Sequence, residues 1–183
     1  MNGYELLLVL YCQTETWREI RIPLNINFKQ FHSVIQKLFG FDDYHNWQFK
    51  VPAEVPGEDA VDLSDIVSYI YSEESESTPI KEVFDDYDVV IYEYDFGDSW
   101  EIIITKKSEI DYNYKTALIT DYAGKYNPMN DLGGFMIFDE IMELIDDEEE
   151  LDYVLEEYNL SLGDLSKMDF EKKYKKGSKI RIK

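Results

Sequence analysis

Cysteine is nearly absent from this 183-residue chain: only Cys12 occurs, inside an apolar, strand-like pattern, so no internal disulfide can form and a reducing compartment is expected. Histidine is scarce too, and His32 and His45 are the two positions open to imidazole chemistry. Long hydrophobic runs are missing. The stretch Leu6 to Cys12 is too short for a membrane span or a signal core, and Met1 to Glu5 supplies no basic lead, so a cytoplasmic location and no membrane partner are expected. Basic residues are outnumbered, with 18 Lys and Arg against 39 Asp and Glu for a net charge of −21. Residues 167–183 carry eight basic side chains against two acidic ones, a local +6 that leaves −27 on the first 166 residues. An acidic body of this kind repels phosphate backbones, which disfavours nucleic-acid binding except through the tail. Solubility is the plain consequence of the acid excess.

Aromatic residues are plentiful at 15%, with 15 Tyr, 10 Phe and 3 Trp, so a folded core is expected despite the charge. The length suits one domain, or one domain with a helical appendix, burying roughly 70% of its unfolded surface.

The densest chemistry lies in Tyr92-Glu93-Tyr94-Asp95-Phe96-Gly97-Asp98-Ser99-Trp100. Val90, Tyr92 and Tyr94 alternate before the break and Trp100, Ile102 and Ile104 after it, which predicts a hairpin. Phe96-Gly97-Asp98 forms its hinge, with Gly97 free to take positive φ and two carboxylates, Asp95 and Asp98, flanking one turn.

The chain opens with a predicted hairpin, Tyr4 to Cys12 and Trp17 to Pro23. A helix over 28–39 follows: Asn27 is its N-cap, Gln30 completes a capping box, Ile26 and Phe31 have staple spacing, and Gly40 stops it. Its apolar stripe is Phe28, Phe31, Ile35, Leu38 and Phe39, with His32 at the margin, where a packed histidine is the common outcome. A strand around His45 to Val51 comes next. Residues 52–79 read as a long excursion with a helical turn at Asp65 to Tyr71, and Ile80 to Phe84 as a short helix. Lys106 to Asp121 has no clean period, and Ala123 to Gly134 reads as a loop. Two helices are predicted around Phe138 to Ile145 and Leu151 to Tyr158, with Asp147 and Glu150 as a capping pair, and a third short helix closes near Gly177. These elements imply an α+β fold: a mixed, mainly antiparallel sheet with one helix packed on it in β-grasp-like order, plus C-terminal helices.

Two motif lookalikes fail. Asp95-Phe96-Gly97 spells a kinase signature, but no glycine-rich loop, paired lysine or catalytic loop precedes it. Gly97-Asp98-Ser99 begins a lipase-type motif, yet both histidines precede Ser99 and no later pair exists to activate it.

Four blocks together carry a resemblance: Thr16 to Pro23, Phe31 to Gln36 with Phe39 to His45, Tyr94 to Trp100, and Asp131 to Phe135. Their order and spacing, from Tyr4 to about Ile145, resemble the plasmid pRiA4b ORF-3-like family. The resemblance implies an α+β protein tied to plasmids and mobile elements, without an established activity. The matching positions include Trp17, Arg18, His32, Gln36, His45, Asp95, Gly97, Asp98, Trp100, Asp131, Gly133 and Gly134. Trp47 and Ile102 stand where many relatives have histidines, and Pro128-Met129-Asn130-Asp131 stands where they have a proline-proline-glutamate-aspartate run. Some relatives bear a transposon-resolvase label. That chemistry needs a serine beside phosphate-holding arginines, which this body lacks. The domain division that follows is 1–145 for the family domain, with an insertion at about 52–79, and 146–183 for a helical extension with the basic tail.

Three functions compete. The first is a non-enzymatic binding or adaptor module holding a protein segment or small ligand between the hairpin and the Gly133-Gly134 loop, with candidate contacts Trp17, Arg18, His45, Asp95, Asp98, Trp100, Asp131, Gly133 and Gly134. Exposed tryptophans would favour it. The second is an acidic nucleic-acid mimic. The third is a metal-dependent hydrolase, which requires Asp95, Asp98 and His45 to meet in one cleft. His45, Asp95, Asp98 and Asp131 have the chemistry for a hard or borderline divalent ion, but spacing alone does not make them converge. The preferred reading is structural: Asp95 and Asp98 bind turn N–H groups and pair with Arg18, while Gly133-Gly134 lets two backbones approach. On that reading no cofactor, metal ligand or catalytic residue is assigned.

Overall fold

The computed structural model describes residues 1–51 and 77–183. The predicted helical turn at Asp65 to Tyr71 and most of the 52–79 excursion lie outside them. Among the described residues, seven strands form one sheet: β1 (Gly3–Leu10), β2 (Trp17–Pro23), β3 (Trp47–Lys50), β4 (Val89–Tyr94), β5 (Trp100–Ile110), β6 (Thr116–Ala123) and β7 (Lys179–Arg181). Their order is β3-β4-β5-β1-β2-β6-β7, and the sheet expected to be mainly antiparallel is antiparallel at every pairing. The helices are α1 (Phe28–Phe39), α2 (Lys81–Phe84), α3 (Phe135–Leu144), α4 (Leu151–Glu157) and α5 (Leu162–Met168), with a short 3-10 turn over Phe170–Lys172. None of the described helices is long and apolar enough to cross a membrane.

Strand alternation decides which face is buried. Tyr4, Leu6, Leu8 and Leu10 of β1 point the same way as Ile20 and Ile22 of β2, Tyr92 and Tyr94 of β4, and Trp100, Ile102 and Ile104 of β5. Helix α1 closes that face. Asn27 accepts from the Gln30 N–H while the Gln30 side chain accepts from the Asn27 N–H, and Gly40 ends the helix at φ 73°. Its Phe28 and Phe31 pack on Phe49 of β3 at ring distances of 4.8 and 5.6 Å, and Phe49 in turn meets Tyr92 at 4.9 Å. The opposite face is knitted by ion pairs, including Arg21 with Glu5 at 2.9 Å and Lys50 with both Glu93 and Glu101.

Arg18 also points into the core and is fully buried. It donates to the carbonyls of Trp17 and Ala123 and to Asn127 Oδ1, and its guanidinium lies 3.9 Å over the Phe170 ring. Burial pulls its pKa down to about 9, so it is charged at neutral pH. The expected pairing with Asp95 or Asp98 does not occur; backbone oxygens and aromatic faces hold the cation instead.

The stretch without a clean period holds the end of β5 and most of β6, whose burial is too partial to leave an alternation in the sequence. Two further expectations are corrected. Asp147 and Glu150 form no capping pair, since Asp147 Oδ1 accepts from Glu149 N and the N-cap Glu150 makes no side-chain bond. The third helix lies earlier than expected, at Leu162–Met168, started by a Ser161–Asp164 capping box, and the tail ends as β7 on the sheet edge.

Candidate functional site

The β4–β5 hairpin has the expected register, with Tyr94 opposite Trp100 and Tyr92 opposite Ile102. Its turn is built differently from the expectation. Gly97 stays out of the left-handed region, which Asp95 (φ 56°) and Ser99 (φ 52°) occupy instead. A short carboxylate tolerates that conformation because it can bond its own turn: Asp95 Oδ1 accepts from Gly97 N at 3.1 Å. The Ser99 N–H closes the turn on the Asp95 carbonyl at 2.6 Å.

Two other segments meet this turn. Just before β3, the Asn46 carbonyl accepts from Asp95 N at 3.0 Å, and the buried Tyr94 hydroxyl accepts from Tyr44 N at 3.1 Å. Burial raises the Tyr94 pKa, so the phenol is neutral at pH 7. These bonds place His45 beside the turn. The loop before α3 arrives from the other side, where Asp98 Oδ2 accepts from Gly133 N at 3.0 Å. Gly134, at φ 84°, lies so close that a Cβ there would stand 2.8 Å from the Asp98 carbonyl oxygen. The glycine pair thus allows the close backbone approach read from the sequence.

Asp131, itself at φ 58°, is carried in by that loop. His45 Nε2 lies 3.4 Å from Asp95 Oδ2 and 3.3 Å from Asp131 Oδ1. Asp95 is only 7% exposed, while the Asp131 side chain is open to solvent. Asp98 stands one step back, spent on the loop that delivers Asp131.

The remaining candidates fall elsewhere. Trp100 is fully buried below the turn, between Phe41 and Phe138. Arg18 is buried in its aromatic box, and Trp17 lies opposite Ala123 on β6 with its indole N–H on Glu15 at 3.0 Å. Trp47 is buried against His32, with ring centroids 4.4 Å apart. An exposed tryptophan groove is therefore not what this end of the protein offers. Three exposed apolar side chains stand there instead: Tyr44 next to His45 at 80% exposure, Phe96 next to Asp95 at 49%, and Met136 two residues after Gly134 at 70%. Sequence reasoning passed over them, although an aromatic at a turn tip, where no layer covers it, is the signal that marks Phe96.

His32 belongs to a second, closed network. Burial keeps the Tyr92 phenol protonated; it faces His32 Nδ1 at 2.8 Å and accepts from Gln36 Nε2 at 2.8 Å. His32 Nε2 meets Asp43 Oδ1 at 2.7 Å, and the Asp43 N–H returns to Gln36 Oε1 at 2.8 Å. This ring of bonds fixes the segment that leads into Tyr44 and His45.

An antiparallel α+β sheet with functional-type residues gathered at one loop end defines the class of protein. The chain belongs to the plasmid pRiA4b ORF-3-like protein family, whose sequence model matches residues 5–173. Among curated proteins, none matches the chain. A crystal structure of a protein of unknown function, MM3350 from Methanosarcina mazei Go1, shares the fold with a TM-score of 0.60 at 24% identity, covering 84% of this chain and 88% of that one.

Proposed function

We propose that this protein is a non-enzymatic binding module, linked to plasmid or mobile-element biology, whose contact surface is the loop end around His45, Asp95 and Asp131. The observation that carries this reading is the exposed apolar rim of Tyr44, Phe96 and Met136 beside a polar centre held in place by backbone hydrogen bonds. Exposed aromatics and methionine on a braced scaffold suit protein or small-ligand contact, because they supply area at small entropic cost. A catalytic reading finds less support. The one Asp–His–Tyr relay among the described residues, through Asp43, His32 and Tyr92, has its imidazole and phenol sealed in the core. Ser99 Oγ donates to the Phe96 carbonyl at 3.4 Å and has no histidine partner. The hydrolase reading keeps one observation in its favour, the meeting of His45 with Asp95.

The test is affinity capture from extract of cells that encode the protein, with wild type and a Tyr44→Ala/Phe96→Ala variant immobilised side by side. Both side chains are exposed, so the variant is expected to unfold within about 1 kcal/mol of wild type. A component retained by wild type and reduced about tenfold or more by the variant is the expected result. Equal retention by both proteins would overturn the reading.

A further inference from the structure

His45 Nε2 is shielded from solvent, yet it makes no hydrogen bond. It points between two carboxylate oxygens at 3.3 and 3.4 Å, well beyond the roughly 2.7–2.9 Å of a charge-assisted N–H···O bond. Asp95 is more than nine-tenths buried, and its Oδ2, the oxygen turned toward His45, accepts no hydrogen bond among the described residues. A buried nitrogen left facing two carboxylate oxygens without a bond is costly unless something joins them.

A cation joins them well. Nitrogen and oxygen ligands sit about 2.0–2.2 Å from a zinc-sized ion, and two ligands of a tetrahedral site are then about 3.3–3.6 Å apart. The two distances from His45 have that length. All three ligand atoms lie within 4.8 Å of one another, so the remaining edge closes with a small swing of the solvent-exposed Asp131. The second oxygen of Asp95 is oriented by the Gly97 N–H, and Asp98 anchors the loop that brings Asp131; supports of this kind are what metal ligands need behind them.

We infer that His45, Asp95 and Asp131 form a binding site for one divalent cation of the zinc or manganese type. One imidazole with two carboxylates suits borderline ions, whereas calcium asks for six to eight oxygens at about 2.3–2.6 Å. The net charge of −27 on the first 166 residues favours cations over anions at the body as a whole. Three protein ligands leave at least one coordination position for water or a ligand oxygen. The inference deepens the binding-module reading and rests on it only for what occupies the remaining coordination position.

Native mass spectrometry after addition of Zn²⁺ or Mn²⁺ alone, before and after a chelator wash, tests it. Wild type is expected to retain one ion that the chelator removes. His45→Ala and Asp131→Ala, both at positions with solvent access, are expected to weaken retention tenfold or more, and Glu148→Gln in the exposed acidic run is expected to leave it unchanged. No uptake by folded wild type, or uptake indifferent to His45→Ala and Asp131→Ala, would overturn the site. Repeating the capture experiment in chelator separates the two proposals. A partner still lost with Tyr44→Ala/Phe96→Ala would leave the module standing without its metal, whereas one retained ion with capture indifferent to the rim would leave the metal site standing alone.

Discussion

Trp100→Ala is expected to lower the free energy of unfolding by about 3–5 kcal/mol, the range for emptying a large buried aromatic site. The indole is fully buried, pairs across the hairpin with Tyr94, and meets Phe41 at 6.0 Å and Phe138 edge-on at 6.2 Å. It therefore joins the turn, the end of α1 and helix α3 at one point. Removing it leaves a cavity that three elements, each tied by its own backbone bonds, cannot collapse to fill. In thermal unfolding the loss corresponds to a drop of about 10 °C for a chain of this length. Trp100→Phe gives the control: the Trp100 indole N–H has no acceptor, so phenylalanine keeps most of the packing and removes an unsatisfied donor. It is expected to retain most of the stability that alanine loses. A cost below about 1 kcal/mol for Trp100→Ala would contradict this placement.

Asp139→Ala is expected to cost about 3 kcal/mol, from the loss of two charge-assisted hydrogen bonds. Asp139, buried on α3, accepts from Gln13 N at 2.9 Å and Thr14 N at 2.7 Å, and so pins the connection between β1 and β2 to the helix. Asp139→Asn keeps one acceptor oxygen and is expected to fall between wild type and alanine. Cys12 offers a second readout, because burial, and after it the Asp139 charge, pushes its thiol up to about 12 from an ordinary value of 9.0. The folded pKa is raised, so the stability linked to this thiol is full below about pH 9 and is lost as the pH climbs toward about 12. Alkylation of Cys12 at pH 8 is expected to be slow in wild type and several-fold faster in Asp139→Ala, which removes both the charge and the pinning bonds. Unchanged stability together with unchanged alkylation would contradict the assignment.

Local signals were the readable ones. Asn27, Gln30 and Gly40 marked α1 at both ends because capping uses neighbouring residues only. The β4–β5 hairpin was legible because its inward residues, Val90, Tyr92, Tyr94, Trp100, Ile102 and Ile104, are all buried and so all apolar. β6 was not, because it leaves only Ala117 and Ile119 fully buried. α5 was expected too late in the chain because its capping box uses Asp164 where the usual signature has Glu or Gln, and because it buries only Leu165 and Met168. Gly97 misled for a different reason: glycine is the cheapest residue at positive φ, but Asp95 reaches that conformation by bonding its own turn. At the candidate site the residue types could be read and their meeting could not. His45, Asp95 and Asp131 are far apart in the chain, and what unites them is the register of β3 on β4 and the approach of Gly134 to Asp98. Arg18 shows the converse, a residue matched by family pattern whose surroundings are aromatic rings and backbone oxygens supplied from distant segments.

The most direct test is the amide NMR spectrum of the folded protein titrated with substoichiometric Mn²⁺, whose unpaired electrons broaden signals near the ion. Selective loss of the His45, Asp95 and Asp131 signals, reversed by chelator and absent in Asp131→Ala, is the expected result. Broadening centred instead on the exposed acids Asp146 to Glu150, with the three site signals intact, would contradict a binding centre at the hairpin turn.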